Sequence, residues 1–312
     1  MTSRVKGSPS PDRSKLLAVI MAISAAGLWG MTEVLGKYLL IQSSPMPIIL
    51  FQLSCCLLAT WVLVIIKFQY VELDQNTLLG WLLGVLHPGL SNSLGIVGLS
   101  YVGASVSSTI WSLEAVATML AAWALLDERI SVWQFSFSAL SLAGVFVASG
   151  SFASDVVNTK YLYGVIALLL AVLSCGLFGA LSRQVVGAGG VDGLLLLAGQ
   201  QATGLLWICA TLPLSRGGVH FQELGNLTGG MWLLCLLTGI VKFPVATGLF
   251  LASMRSLTAG HASSFLVLTP IFGIAAAMIL LGETVTLLQG SGVAIVLASV
   301  WIVQHSTEPS QS

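Results

Sequence analysis

What most constrains this chain is the recurrence of apolar stretches about as long as a bilayer is thick. A hydrocarbon core of roughly 30 Å takes about 20 apolar residues of helix. Stretches of that kind fall near residues 16–40, 46–66, 78–100, 104–126, 131–150, 161–182, 192–213, 231–254, 258–281 and 286–303. Ten membrane helices are therefore expected. Leu162 to Leu173 is apolar on every face, which argues against the apolar-polar alternation of barrel strands. Ten spans in 312 residues leave no room for a sizeable soluble domain. Only 8 % of residues are charged, against about 25 % in soluble proteins. The 12 basic and 12 acidic residues cancel, so nothing in the charge calls for a nucleic-acid partner.

Residues 1–15, with Ser8-Pro9-Ser10-Pro11, read as a disordered cytoplasmic tail, and so do residues 305–312. The first apolar stretch exceeds the h-region of a signal peptide, about 7 to 15 residues, and no cleavage site follows it, so a retained helix is expected. Arg4, Lys6, Arg13 and Lys15 hold the N-terminus inside. Ten crossings then place Lys67, Arg129, Arg183 and Arg255 on the cytoplasmic side, and only Lys37, Lys160 and Arg216 outside. Both termini are expected in the cytoplasm, from a plasma or bacterial inner membrane. Cys55, Cys56, Cys175, Cys209 and Cys235 all fall in apolar stretches without C-x-x-C spacing and read as packing residues, with no metal site.

The chain also repeats itself. A shift of 155 lays Gly84 on Gly239, Ala104 on Ala259, Ser108 on Ser263, Leu113 on Leu268, Glu128 on Glu283 and Gln134 on Gln289. Earlier in the halves the shift is 149, pairing Gly27-Leu28-Trp29-Gly30 with Gly176-Leu177-Phe178-Gly179 and Gln52 with Gln201. The loop around Pro213 to Gly230 absorbs the difference of six. The halves run over residues 16–150 and 161–304 with five helices each, and an odd number makes them enter the membrane in opposite directions. The expected fold class is all-α, with ten transmembrane helices in two inverted repeats, an architecture found in many secondary transporters.

These residues resemble the drug/metabolite transporter superfamily, specifically its EamA-type repeat, from Leu16 to Val303. The similarity rests on Ala25-Ala26-Gly27-Leu28-Trp29-Gly30 with Lys37, on Ala104-Ser105-Val106-Ser107-Ser108 leading to Leu113-Glu114-Ala115, and on Leu126-Asp127-Glu128-Arg129. Its second-half counterpart is Ala262-Ser263-Ser264, Leu268-Thr269-Pro270 and Leu281-Gly282-Glu283-Thr284. The first half has Ala115 where the family usually has proline. The resemblance implies a carrier that exports or exchanges small polar metabolites through a central cavity, lined mainly by the first, third and fourth helices of each half.

Ionisable residues within spans are expensive and are functional candidates by default. Trp29, Glu33 and Lys37 share a face of the first helix, so Glu33 and Lys37 can pair at i,i+4, either as an interfacial pair or beside the cavity. Glu114 lies mid-helix with Ser107, Trp111 and Thr118 on its face. It is the candidate for ion coupling, the alternative being a bond between helices. His87 and Lys242 are related by the 155 shift and stand beside Pro88 and Pro244, so they either face one cavity or satisfy carbonyls freed by the prolines. Asn92, Phe178 and Thr269 complete the expected cavity, Thr269 being the counterpart of Glu114. Gln52, Gln200 and Gln201 either line it or bond between helices. Glu128 and Glu283 read as caps of the helices that follow them, Gly80 and Gly84 as a close-packing pair, and Arg255 and His261 as interfacial residues.

No G-x-x-x-x-G-K-[ST] loop is present, since Gly36-Lys37 is followed by Tyr38, so neither an ATP site nor an ATPase subunit is implied. H-E-x-x-H and G-x-S-x-G are also missing, which disfavours an intramembrane enzyme. A channel would close by oligomeric symmetry, whereas the internal repeat supplies symmetry within a monomer or weak dimer. The reading is a secondary transporter of small polar metabolites such as amino acids, possible coupling to protons included, needing no cofactor. Phosphorylated or nucleotide-linked solutes, or a channel, are the alternatives.

Overall fold

In the computed structural model, residues 11–68, 74–126, 131–148, 159–189, 192–212, 225, 227–253, 256–257 and 265–305 are described. Seven helices among them are long and apolar enough to cross a membrane: Ser14–Leu39, Pro45–Lys67, Gln75–Tyr101, Ala104–Leu125, Thr159–Ser182, Gly193–Thr211 and Gly229–Phe250. Three shorter apolar helices, Phe135–Val145, Thr269–Leu281 and Leu287–Ile302, lie where the fifth, ninth and tenth stretches were expected. The Asp127 to Arg129 turn, Arg255, His261, Arg216 and the outer parts of both tails fall outside the described residues, as does the side chain of Arg183.

Several expected spans are broken helices. Helix α1 (Pro11–Leu39) starts five residues before the expected first span at residue 16, and α2 (Pro45–Lys67) follows with Ser44 as an extended N-cap. The third stretch is α3 (Gln75–Leu82), a short 3-10 turn, a π-helical segment over Leu86–Leu90, and α4 (Ser91–Tyr101). The eighth is α10 (Gly229–Ile240), a π segment over Val241–Ala246, and α11 (Thr247–Ser253). Pro88 and Pro244 sit inside the two π segments; each lacks the N–H that an α-helix needs there, and a widened turn accommodates it.

The fourth stretch divides into α5 (Ala104–Trp111) and α6 (Glu114–Leu126) without any proline. The amides of Ser112 and Leu113 donate to the Thr109 and Ile110 carbonyls, three residues back, so the turn tightens locally. The same tightening, as a 3-10 turn over Phe265–Leu268, precedes α12 (Thr269–Leu281) in the second half, this time with Pro270 at the helix start. The remaining elements are α7 (Val132–Ala148), α8 (Thr159–Gly189), α9 (Gly193–Thr211) and α13 (Leu287–His305). Helix α12 ends at Gly282, whose φ of 65° is the left-handed conformation that glycine adopts without a Cβ penalty.

Helix α1 packs on α11 and α12, while α8 packs on α4 and α6, and α7 pairs with α13. Small polar caps start the shorter elements. Asp74 accepts from the Thr77 amide, and the Thr77 side chain together with that amide holds its carboxyl below the ordinary value, while Asp192 accepts from Leu194. Large apolar side chains such as Ile66, Ile279, Val132 and Leu287 point outward at 75 to 96 % exposure. That outward apolar surface suits lipid contact, and it frees the interior for polar groups.

Candidate functional site

The interior polar groups begin on α1. Glu33 is buried, and its Oε2 accepts a 2.7 Å hydrogen bond from Ser107 Oγ on α5. Its other oxygen lies 3.5 Å from Lys242 Nζ in the second π segment, so the partner of Glu33 is 209 residues away. Lys37, the partner that i,i+4 spacing offered, instead donates to the carbonyls of Leu99 and Ser100 at 2.8 and 3.3 Å. That corrects the expected Glu33–Lys37 pair. The last carbonyls of α4 have no intrahelical amide partner and form the negative end of that helix, so they accept from a cation, while Glu33 takes its cation from Lys242.

Glu33 and Lys242 border a cavity with Gln52 and Thr238 on its polar side and Ile96 and Leu99 on its apolar side. About 20 Å³ of it admits the centre of a water-sized sphere. One water fits in such a space, which takes about 10 to 15 Å³. A metabolite enters only by parting the walls. Gln52 donates to Thr238 Oγ1 at 2.7 Å, so it both lines the cavity and ties α2 to α10. Trp29 sits one turn before Glu33 and donates its indole N–H to the Lys242 carbonyl at 3.1 Å, while its ring meets Phe250 edge-on. The broken helix thus gains a partner for a carbonyl, and α1 fixes the position from which Lys242 reaches the cavity.

A second polar group surrounds His87. Its backbone leaves the helical region (φ −144°, ψ 119°), and the His87–Pro88 peptide is cis. His87 Nδ1 shares a 2.8 Å hydrogen bond with Ser91 Oγ and lies 3.6 Å from Cys175 Sγ, and the ring packs on Phe178 with centroids 5.0 Å apart. Neither His87 nor Lys242 has a side-chain bond to a proline-freed carbonyl among the described residues; Ser174 Oγ donates to the Leu86 carbonyl, which also takes the Ser91 amide. Cys175 also bonds the Glu114 carboxylate, so α8 joins the π segment to the start of α6. Lys242 is close enough to act electrostatically on both His87 and Cys175. His87 and Glu114 are half-buried.

The break after Trp111 divides the face expected to carry Ser107, Trp111, Glu114 and Thr118 together. Ser107 faces Glu33, Glu114 faces Cys175, and Thr118 packs near Gly179. Trp111 lies against α4, with its Nε1 buried and unpartnered, and both amide atoms of Asn92 are likewise buried and unpartnered. Thr269 is buried at the start of α12, where its carbonyl crowds Gly30, and it does not border the Glu33–Lys242 cavity. Gln200 donates to the Gly80 carbonyl at 3.3 Å, so it bonds between helices. Cys175 was read as packing only; the nine apolar residues Val165 to Leu173 precede the Ser174–Cys175 pair, and nothing in their spacing marks the thiol as a junction between His87 and Glu114.

Glu283 has a different partner from the one expected. It caps not α13, which follows it, but α5, accepting from the amides of Ala104 and Ser105 at 2.7 and 3.1 Å and from Ser105 Oγ at 2.7 Å. The carboxylate therefore meets the positive end of a helix from the other half of the chain.

Comparison with known proteins agrees with this architecture. The EamA-like transporter family model matches residues 16–150 and again residues 162–304. The chain belongs to the EamA-like transporter family. It is therefore a multi-pass integral membrane protein and a membrane transporter of the drug/metabolite transporter superfamily. It is similar to an uncharacterized transporter of Bacillus subtilis (strain 168), YvbV, at 24 % identity over 305 residues, covering 96 % of this chain and 94 % of the relative. A crystal structure of a protein with 13 % identity superposes with a TM-score of 0.64, covering 92 % of this chain and 98 % of its own; that likeness concerns the fold.

Proposed function

We propose that this EamA-family transporter is a secondary carrier of small zwitterionic metabolites such as amino acids, working as an exporter or exchanger by alternating access. The observation that carries the reading is the Glu33–Lys242 pair, which sets opposite charges 3.5 Å apart on the wall of an interior cavity beside a broken helix. A zwitterion offers an ammonium to Glu33 and a carboxylate to Lys242, replacing the pair's own contact as it enters. Broken helices near the membrane middle are where secondary transporters build such sites. A phosphorylated solute calls for excess positive charge, whereas Lys242 is balanced by Glu33.

The ten-helix, inverted-repeat reading is part of the proposal, and two observations support it. The family model matches once in each half, and α1 meets α11 and α12 much as α8 meets α4 and α6. Both termini are then cytoplasmic, in a plasma or bacterial inner membrane. Single cysteines at Arg129 and Thr284, in a cysteine-free chain, label from opposite sides of the membrane on this reading; labelling from one side overturns it. The chain acts as a monomer or weak dimer without an ATPase subunit or cofactor. Glu114 is the proton-coupling group: it is a half-buried carboxyl within the fourth span, where an ionisable residue is a functional candidate by default.

The test is counterflow in proteoliposomes loaded with amino acids. Saturable, trans-stimulated exchange is expected. Flux that rises linearly with concentration indicates a pore, and absence of amino-acid exchange overturns the substrate class.

A further inference from the structure

Two orphaned polar groups lie near the Glu33–Lys242 cavity, one on a helix that lines it and one a turn beyond the serine that bonds Glu33. Asn92 precedes the lining residues Ile96 and Leu99 by four and seven positions on α4, so it continues their face toward the interior. Its side chain is 1 % exposed, and neither its carbonyl nor its amino group has a partner in the protein. Trp111 follows Ser107, the residue bonded to Glu33, by four positions on α5, and its buried indole N–H is also unpartnered.

The two groups converge. A Cβ placed on Gly95 falls 2.7 Å from Trp111 Cζ2, so the indole lies against α4 less than one turn from Asn92. Asn92 is also level with Trp29, one turn before Glu33 on α1. Lys37 bonds Leu99 and Ser100, so α1 and α4 run outward together, and stepping back two turns from that contact brings Trp29 on α1 level with Asn92 on α4. Trp29 in turn holds the Lys242 carbonyl. Burying a donor and an acceptor without partners costs free energy, and native structures retain such groups where a ligand or ordered water completes them.

We propose that Asn92 and Trp111 form a neutral subsite that recognises the side chain of the transported zwitterion, selecting hydroxyl- and carboxamide-bearing amino acids over apolar ones of equal size. This rests on the zwitterion reading above. The Asn92 carboxamide offers both a donor and an acceptor, and the indole a further donor. A hydroxyl or amide satisfies them, whereas a methyl group leaves them buried and unmet. Sites that hydrogen-bond a substrate group reject analogues lacking it far more strongly than apolar pockets reject a missing methylene.

The experiment measures exchange of threonine against valine and of asparagine against leucine in proteoliposomes holding the full chain. The polar member of each pair is expected to exchange with at least about tenfold higher efficiency. Asn92→Leu should collapse that ratio while valine exchange persists. Trp111→Phe keeps a ring against Gly95 and removes only the N–H, so it should lower the ratio without loss of folded protein. Equal exchange within each pair, or an unchanged ratio in both variants, overturns the subsite and leaves the zwitterion carrier standing. Failure of every amino acid to exchange overturns both.

Discussion

Lys242 and His87 occupy positions related by the 155-residue shift, each in a π-helical segment beside a proline, yet they live in opposite chemistry. Lys242 faces a carboxylate across the cavity, while His87 faces a hydroxyl, a thiol and an aromatic ring. The surroundings differ in the same sense. The 149 shift takes Trp29 to Phe178, Glu33 to Ser182 and Gln52 to Gln201. Gln52 is bonded to Thr238, but Gln201 has both amide atoms buried without a partner, and so has the Ser182 hydroxyl. Proline sets the backbone break in both halves, and the charge is a separate decision made in one. One broken-helix site holds an ion pair formed between the two halves, and its repeat-related site holds neutral groups with unfilled hydrogen-bonding capacity.

That contrast can be broken at Lys242 first. Lys242→Met strands the buried Glu33 charge and should lower stability by about 3 to 5 kcal/mol in a thermal or denaturant measurement. Pairing it with Glu33→Gln should recover most of the stability but not the counterflow, which separates holding the fold from binding solute. His87→Leu, by contrast, should cost about 1 to 3 kcal/mol, because it leaves the buried Ser91 hydroxyl unmet but strands no paired carboxylate. Equal losses at the two positions would erase the distinction.

The glycines of the two broken helices give a second comparison. A Cβ at Gly84 runs into the Gln200 carbonyl and meets its Cα at 2.6 Å, backbone that cannot swing away. At Gly239 the nearest atoms are those of Gln52, at 3.0 Å and beyond. Gly84→Ala should therefore cost about 1 to 3 kcal/mol, and Gly239→Ala less, by the same unfolding measurement. In reconstituted vesicles, Glu114→Gln should keep exchange and lose flux driven by a pH gradient, while Thr269→Val, at the counterpart position, leaves both intact. Retained pH-driven flux in the first variant would move coupling away from Glu114.

The smallest effect belongs to Lys67 and Asp192, 2.7 Å apart where α2 ends and α9 begins. Partial burial of Asp192 opposes its ionisation, but the bonds from Lys67 and from the Leu194 and Leu195 amides outweigh that and hold the carboxyl below its ordinary value. Its contribution is therefore complete above the unfolded aspartate value of about 3.9 and is lost as pH falls through the lower folded value. Asp192→Ala should cost at most about 1 kcal/mol at pH 7, because the pair is largely solvated, and that difference should shrink only in strongly acidic buffer.

The apolar stretches and the 155 shift made the membrane class, the family and the His87–Lys242 correspondence legible from sequence alone. Prolines 88 and 244 marked where two helices break. The break at Ser112–Leu113 was not legible, because no proline signals it; it is written in the i to i+3 bonds of one turn. Pairing across the fold was also hidden. Local spacing gave Glu33 the neighbour Lys37, whereas tertiary packing gave it Lys242, and the carbonyls ending α4 took Lys37. Cys175 acquires its polar role only because α8 is laid against both His87 and Glu114.

The Glu283 cap has a consequence for motion. One carboxylate at the α12–α13 turn satisfies three donors at the start of α5, so parting these two ends forfeits the bonds together rather than one at a time. A small displacement gains little, because each donor stays unmet until water reaches it. This end of the molecule thus behaves as a latch with a threshold: it is shut, or it is fully released and hydrated. A transporter that must never be open on both sides at once benefits from a seal of that kind.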